Sequence, residues 1–136
     1  MIGVIGSWRT TLMNILLKLY HVEKGKITIG GKDINDIPTE ELRNMICYIT
    51  QDNFLFSSSI KENINLFRDD YEDKEIEEST KNAMIYNEIK EMQDGINTII
   101  GEKGIDLSGG QKQRLVLSRA FLRNSNIIIL MIRFLH

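Results

Sequence analysis

The stretch Leu107-Ser108-Gly109-Gly110-Gln111-Lys112-Gln113-Arg114 decides how the rest of the chain is read. A hydroxyl residue and two glycines stand where an amphipathic helix is predicted to begin, running over Gln111 to Leu122. The first turn of a helix carries unpaired N–H groups and the positive end of the helix dipole. A serine hydroxyl and two backbone positions without side chains at that point therefore favour a phosphate, and they do so without a lysine. The alternative is a serine N-cap and a flexible glycine pair that open the helix and bind nothing.

Composition sets the frame around that stretch. The chain has 136 residues, 42% hydrophobic and 26% charged, which supports one soluble globular domain with a modest core and names no function. A net charge of -2 and the lack of a Lys/Arg cluster argue against nucleic acid as a partner, so any phosphate site must be local. The one cysteine, Cys47, excludes an intrachain disulfide and fits a reducing compartment. It lies in the apolar run Ile46-Cys47-Tyr48-Ile49, where a small buried hydrophobe with no chemistry is expected. The aliphatic run Ile127 to Ile132 is far too short to span a bilayer and the N-terminus lacks the regions of a signal peptide, so no direct membrane insertion is expected.

Periodicity orders the chain as alternating helices and strands. Thr10 to Leu19 reads as a helix with a wide apolar face, from Leu12, Ile15, Leu16 and Leu19 with Met13, Leu17 and Tyr20 beside them, to be buried against a sheet. Lys26 to Ile29 reads as a short strand closed by a Gly30-Gly31 turn, Pro38 to Arg43 as a short helix, and Ile46 to Ile49 as a buried strand. From Ser57 to about Gly104 the texture becomes helical, near Ile60 to Leu66, Glu72 to Met84 and Asn87 to Met92, before a turn at Asp94-Gly95. A helix from Gly109 to about Arg123 leads into Ile127 to Leu130, whose four aliphatic residues suit a strand buried on both faces of a parallel sheet. The acidic residues between Asp69 and Glu78 precede and begin a helix, where negative charge complements the dipole; they lack the glycine and ligand spacing of an EF-hand.

Leu107 to Gln111 followed by Lys112-Gln113-Arg114 resembles the signature motif of ATP-binding cassette (ABC) ATPases. A second motif stands before the first helix. Gly3-Val4-Ile5-Gly6-Ser7-Trp8-Arg9-Thr10-Thr11 has the register of a phosphate-binding P-loop, G-x-x-x-x-G-K-[ST], with Trp8 at the second glycine, Arg9 at the lysine and Thr10 retaining the Mg²⁺-binding hydroxyl. A side chain forced into a left-handed conformation costs about 1–2 kcal/mol, and the guanidinium of Arg9 keeps the charge but not the compact ammonium of lysine. Low nucleotide affinity, or a strand-to-helix turn with no ligand, is the expectation for this loop.

Further motifs follow in the order the resemblance implies. Tyr48 to Phe56 resembles the Q-loop, which makes Gln51 the candidate catalytic residue touching Mg²⁺ and the attacking water. Phe54 and Phe56, with Ile60-Lys61-Glu62-Asn63-Ile64, look like the exporter branch, where this region abuts a transmembrane partner; local packing of both rings is the alternative. Gly101-Glu102-Lys103-Gly104 resembles the exporter loop that senses the partner domain, with Glu102 either the contact or a surface carboxylate in a Gly-flanked turn. Where the family has Asp-Glu after the strand, this chain has Met131-Ile132, and general-base assistance is worth ~10²–10⁴-fold in rate. His21 and His136 read as surface and terminal residues.

As a whole, the resemblance implies a doubly wound α/β core of the P-loop NTPase kind, with a mostly parallel sheet and an inserted helical subdomain. Residues 1–56 would form a partial nucleotide-binding core, 57–105 the helical subdomain, and 106–136 the signature helix with a truncated strand. The expectation is a partial cassette cut at both ends. Its implied cofactors are ATP, held by Gly3, Gly6, Ser7, Arg9, Thr10, Thr11, Ser108, Gly109, Gly110 and Gln111, and Mg²⁺, held by Thr10 and Gln51. Its implied partners are a second nucleotide-binding domain, in a homo- or heterodimer, and the transmembrane domain of an exporter that keeps it at the cytoplasmic face. Three functions follow: an ATPase energising export, a non-hydrolytic partner supplying a signature motif in trans, and an inactive remnant.

Overall fold

The computed structural model describes residues 8–50, 54–102 and 104–130, with the backbone alone for residues 8–10. The chain divides into two units, Met1–Cys47 and Tyr48–His136. In the first, helix α1 (Trp8–Leu16) ends short of Leu19, where its apolar spacing would carry it, because Lys18 takes a left-handed conformation with φ 54°. The Lys18 N–H then bonds to the Ile15 carbonyl at 2.9 Å and the Leu19 N–H to the Asn14 carbonyl at 2.7 Å, pairing carbonyls that a helix end leaves over. Arg43 Nε donates to the Leu17 carbonyl at 3.3 Å and covers a third.

Strands β1 (Thr28–Ile29) and β2 (Lys32–Asp33) form an antiparallel hairpin that pairs Thr28 with Asp33 and Ile29 with Lys32. Gly30 (φ 59°) and Gly31 (φ 81°) supply the two left-handed residues such a two-residue turn demands. Asp33 opens the next turn by accepting the Asn35 N–H at 2.8 Å. Helix α2 (Thr39–Met45) follows Pro38 and runs directly into β3 (Ile46–Ile49). Among the described residues of this unit, Ile34, Ile37, Leu42, Ile46 and Cys47 are the buried apolar ones.

The second unit is built on helices. Helix α3 (Ile60–Asn65) begins at a capping box in which Ser59 Oγ accepts the Glu62 N–H and the Glu62 carboxylate accepts the Ser59 N–H, both at 3.1 Å. Helix α4 (Asp73–Asn82) begins at a second box, from Glu72 and Glu75, so part of the acidic stretch caps a helix as its position predicts. The described residues contain no group of three or more His, Cys, Asp or Glu placed to hold a metal. Helices α5 (Tyr86–Glu91) and α6 (Gly109–Arg123) and strand β4 (Ile127–Leu130) complete the unit.

Helix α6 packs on α3 and α4. Leu115 and Leu122, two turns apart, enter a core with Ile60, Ile64, Ile76 and Ile85. Full burial of one such side chain stabilises by ~1.5–3 kcal/mol, so packing of the apolar face, more than helix propensity, holds α6 in place. Strand β4 pairs with β3, of which Tyr48 and Ile49 lie in this unit. Ile127, Ile128 and Ile129 are half-buried and Leu130 is exposed, in contrast to the two-sided burial that the aliphatic run predicts. Among the described residues β3 is the one strand beside β4. No helix among these residues is long and apolar enough to cross a membrane.

Candidate functional site

Ser108 is the N-cap of α6, with an extended backbone (φ −60°, ψ 157°). Its Oγ accepts the Gln111 N–H at 3.3 Å, and its own N–H donates to Gln111 Oε1 at 2.9 Å. This reciprocal box pairs two donors at a helix start, where four N–H groups lack intrahelical acceptors. The N–H groups of Gly109 and Gly110, the first two helical residues, have no acceptor among the described residues. Leu107, just before the cap, is buried and fixes the chain's entry into the helix.

Two pairs of glycines differ in what they are for. A Cβ on Gly104 would lie 2.1 Å from the Ile99 carbonyl oxygen, and one on Gly101 (φ 89°) 3.1 Å from Ser57 Cα, so the chain's own packing demands both. A Cβ on Gly109 or Gly110 would meet nothing within 4 Å, and neither residue is left-handed. A glycine costs a helix ~1 kcal/mol relative to alanine. Among the described residues nothing packs against these two positions, and their N–H groups have no acceptor.

Charged groups surround this helix start. Glu88 on α5 accepts from Gln111 Nε2 at 2.8 Å and pairs with Arg114 Nη1 at 2.6 Å. Arg114 Nη1 also donates to the Met84 carbonyl at 3.0 Å. Lys112 Nζ lies 2.8 Å from Asp106 Oδ1. The hydrogen bond from Gln111, then the pairing with Arg114, holds the Glu88 carboxyl below the ordinary carboxylate range; Lys112 does the same for Asp106. A folded-state value below the unfolded one means stability that is present above the unfolded value and lost as pH falls through the folded one. The thermal midpoint should be level from about pH 8 to pH 5 and fall below about pH 4. The fall should be modest, since these pairs are partly exposed to solvent. Calorimetric scans between pH 7 and 3 check this, and an unchanged midpoint at pH 3 would contradict it.

Of the sequence-predicted site residues, the structure brings together Ser108, Gly109, Gly110 and Gln111. Gly3, Gly6, Ser7 and Gln51 lie outside the described residues, as do the side chains of Arg9 and Thr10 and the pair Met131-Ile132. The backbone of Trp8, Arg9 and Thr10 opens α1, and Thr11 is exposed on it. Phe54 and Phe56 are exposed and meet edge to face with centroids 5.0 Å apart. Phe67, which periodicity did not single out, extends the array at 5.3 Å from Phe56 and is exposed too. Glu102 is exposed in a turn closed by the Gly104 N–H on the Gly101 carbonyl at 3.0 Å.

Residues 1–130 match the ABC transporter family. The chain belongs to that family. It is 42% identical over 129 residues, 95% of its length, to an uncharacterized ABC transporter ATP-binding protein of Sinorhizobium fredii. Over the same share it is 44% identical to a Staphylococcus aureus protein provisionally named as a multidrug export ATP-binding/permease protein. The chain spans 22% of the length of each of these relatives. Among solved structures, a bacterial Atm1-family ABC exporter with ATP bound is similar at TM-score 0.73 and 33% identity, over 88% of this chain and 21% of that one. The mixed α/β architecture of this ABC chain is therefore that of an exporter's ATP-binding domain, with the P-loop NTPase fold.

Proposed function

We propose that this chain works as the ATP-binding domain of an ABC exporter, coupling ATP binding and hydrolysis to transport by a transmembrane partner at the cytoplasmic face. In this reading the start of α6 is one wall of an ATP site whose phosphate loop belongs to a second cassette. The observation that carries it is the glycine pair, against which nothing packs and whose N–H groups have no acceptor among the described residues. The donor set fits a terminal phosphate: two backbone N–H groups, the positive end of a 15-residue helix and the Ser108 hydroxyl, which accepts from Gln111 and keeps its proton for an outside acceptor. Gly3, Gly6, Ser7, Arg9, Thr10 and Thr11 would form the chain's own phosphate loop, with Mg²⁺ at Thr10 and Gln51. ATP, when bound, supplies the γ-phosphate toward which these donors are directed.

The exposed rings of Phe54, Phe56 and Phe67 and the carboxylate of Glu102 are the surfaces offered to the transmembrane partner. A second reading, a partner that supplies the signature face and hydrolyses nothing, is favoured by Trp8 and Arg9 in the phosphate loop and by Met131-Ile132 where the family has Asp-Glu. The test mixes the chain with an intact ABC cassette and follows association by analytical ultracentrifugation. A complex that forms with millimolar Mg-ATP and not without it is expected; no complex under either condition defeats the shared-site reading. Trp8 fluorescence and calorimetry of the chain alone with Mg-ATP separate the two versions, since only the first predicts a response.

A further inference from the structure

Both ends of the Gln111 amide are engaged within the chain: Oε1 accepts the Ser108 N–H at 2.9 Å and Nε2 donates to Glu88 Oε2 at 2.8 Å. A carboxylate only accepts, so Glu88 fixes which way this amide points, with Nε2 toward α5 and the oxygen toward the cap. The second Glu88 oxygen holds Arg114 Nη1 at 2.6 Å. Arg114 is further tied to the Met84 carbonyl at 3.0 Å, and its Nε donates to the Gly110 carbonyl at 3.3 Å. One carboxylate on α5 therefore reaches Ser108 through Gln111 and Gly110 through Arg114.

Such a tie has work to do at this place in the fold. Two consecutive glycines lose more conformational freedom on ordering than any other pair, and no side chain of their own packs to compensate. A helix start of this kind frays unless its cap is held, and hydrogen bonds to a charged group are roughly twice as strong as neutral ones. The cap itself is a local device available to any Ser-x-x-Gln sequence. Its attachment to α5 depends on a residue 23 positions away.

We propose that Glu88 is a positioning residue: it latches Gln111 and Arg114, and through them holds the Ser108 cap in the conformation that presents the Gly109 and Gly110 N–H groups. Gln111 accordingly acts by orienting the cap, with its side chain turned toward Glu88. The effect on a partner rests on the shared-site reading above; the latch itself is a property of this chain.

The experiment has two arms. Amide hydrogen exchange of the ¹⁵N-labelled full chain is read residue by residue in wild type, Glu88→Ala and Glu88→Gln. Glu88→Ala should speed exchange at Ser108 about tenfold while Ala120 and Leu122 stay unchanged, as expected when a hydrogen bond to a charged group is lost locally. Glu88→Gln keeps an oxygen for Gln111 Nε2 and should retain most of the protection. No change at Ser108 in Glu88→Ala, or an equal loss at Ser108 and Ala120, overturns the proposal. In the second arm, Mg-ATP-dependent association with an intact cassette should weaken about fivefold to tenfold in Glu88→Ala and in Gln111→Ala, and no further in the double variant. Additive losses overturn the latch. Absence of any complex with wild type defeats the shared-site reading alone, and the exchange arm still decides the latch.

Discussion

Ser108→Arg is expected to abolish ATP-dependent association with an intact cassette, lowering affinity by at least about 100-fold, or about 2.7 kcal/mol. Three effects add. The Ser108 hydroxyl that would donate to a phosphate is lost. The capping box is lost with it, which costs about 1 kcal/mol of helix stability at the turn where the N–H groups must be held. A long side chain also enters the open space in front of Gly109 and Gly110, where a phosphate would have to approach to about 3 Å of the backbone. The thermal midpoint should fall by only about 3–5 °C, so the binding loss cannot be assigned to unfolding. Gly110→Ala provides the opposite combination. Its Cβ meets nothing within 4 Å among the described residues, and alanine is the better helix former by up to ~1 kcal/mol, so stability should rise slightly while association weakens. Sedimentation with and without Mg-ATP, beside thermal unfolding of the same samples, measures both quantities. Wild-type affinity in Ser108→Arg would remove this surface from the ATP site.

Asn63→Ala is expected to cost about 3–5 kcal/mol, a large part of the ~5–15 typical of a domain. Asn63 is fully buried, and its side chain makes four hydrogen bonds. Oδ1 accepts the Phe56 N–H at 2.7 Å and Arg119 Nη2 at 3.3 Å; Nδ2 donates to the carbonyls of Phe56 at 2.9 Å and Ser59 at 3.0 Å. Arg119 closes the network by donating to the Asn63 carbonyl at 2.6 Å and the Phe54 carbonyl at 2.8 Å. Burial pushes the Arg119 guanidinium below its ordinary value, and the carbonyls it donates to offset the loss of water around the charge. The network fastens the Phe54 to Phe56 segment to α3 and to the signature helix α6. Truncation removes all four hydrogen bonds, each worth ~0.5–1.5 kcal/mol, and leaves the Phe56 N–H without its acceptor, while the Phe56 carbonyl keeps the Ser58 N–H at 2.8 Å. Thermal unfolding followed by circular dichroism should show the midpoint falling by about 10–15 °C. A loss below about 1 kcal/mol would mean that water takes over the four bonds and that the network is not structural.

Several elements are legible in the chain because their causes are local. The Ser59 and Ser108 boxes each join residues three apart. The Gly30-Gly31 turn fixes its hairpin through two left-handed residues, and the helices of the second unit fall within a residue or two of their apolar patterns. The end of α1 was not legible, because a left-handed Lys18 leaves no trace in hydrophobic spacing. The partial exposure of β4 was not legible either, since an aliphatic run states what a strand can bury and not how many neighbours it has.

The string from Leu107 to Arg114 determined by itself that a capped helix begins at two bare glycines, and that motif carries the family. Only the tertiary structure decided which groups at that start remain for something outside the chain. The Gln111 amide, a candidate ligand contact by its position in the motif, is taken by Glu88 on another helix. Asn63 and Arg119, 56 residues apart, meet through backbone carbonyls that no periodicity reports. Helical spacing specifies which face of an element is buried, while the partner that a polar group finds depends on how separate helices pack, and that is set by the whole core.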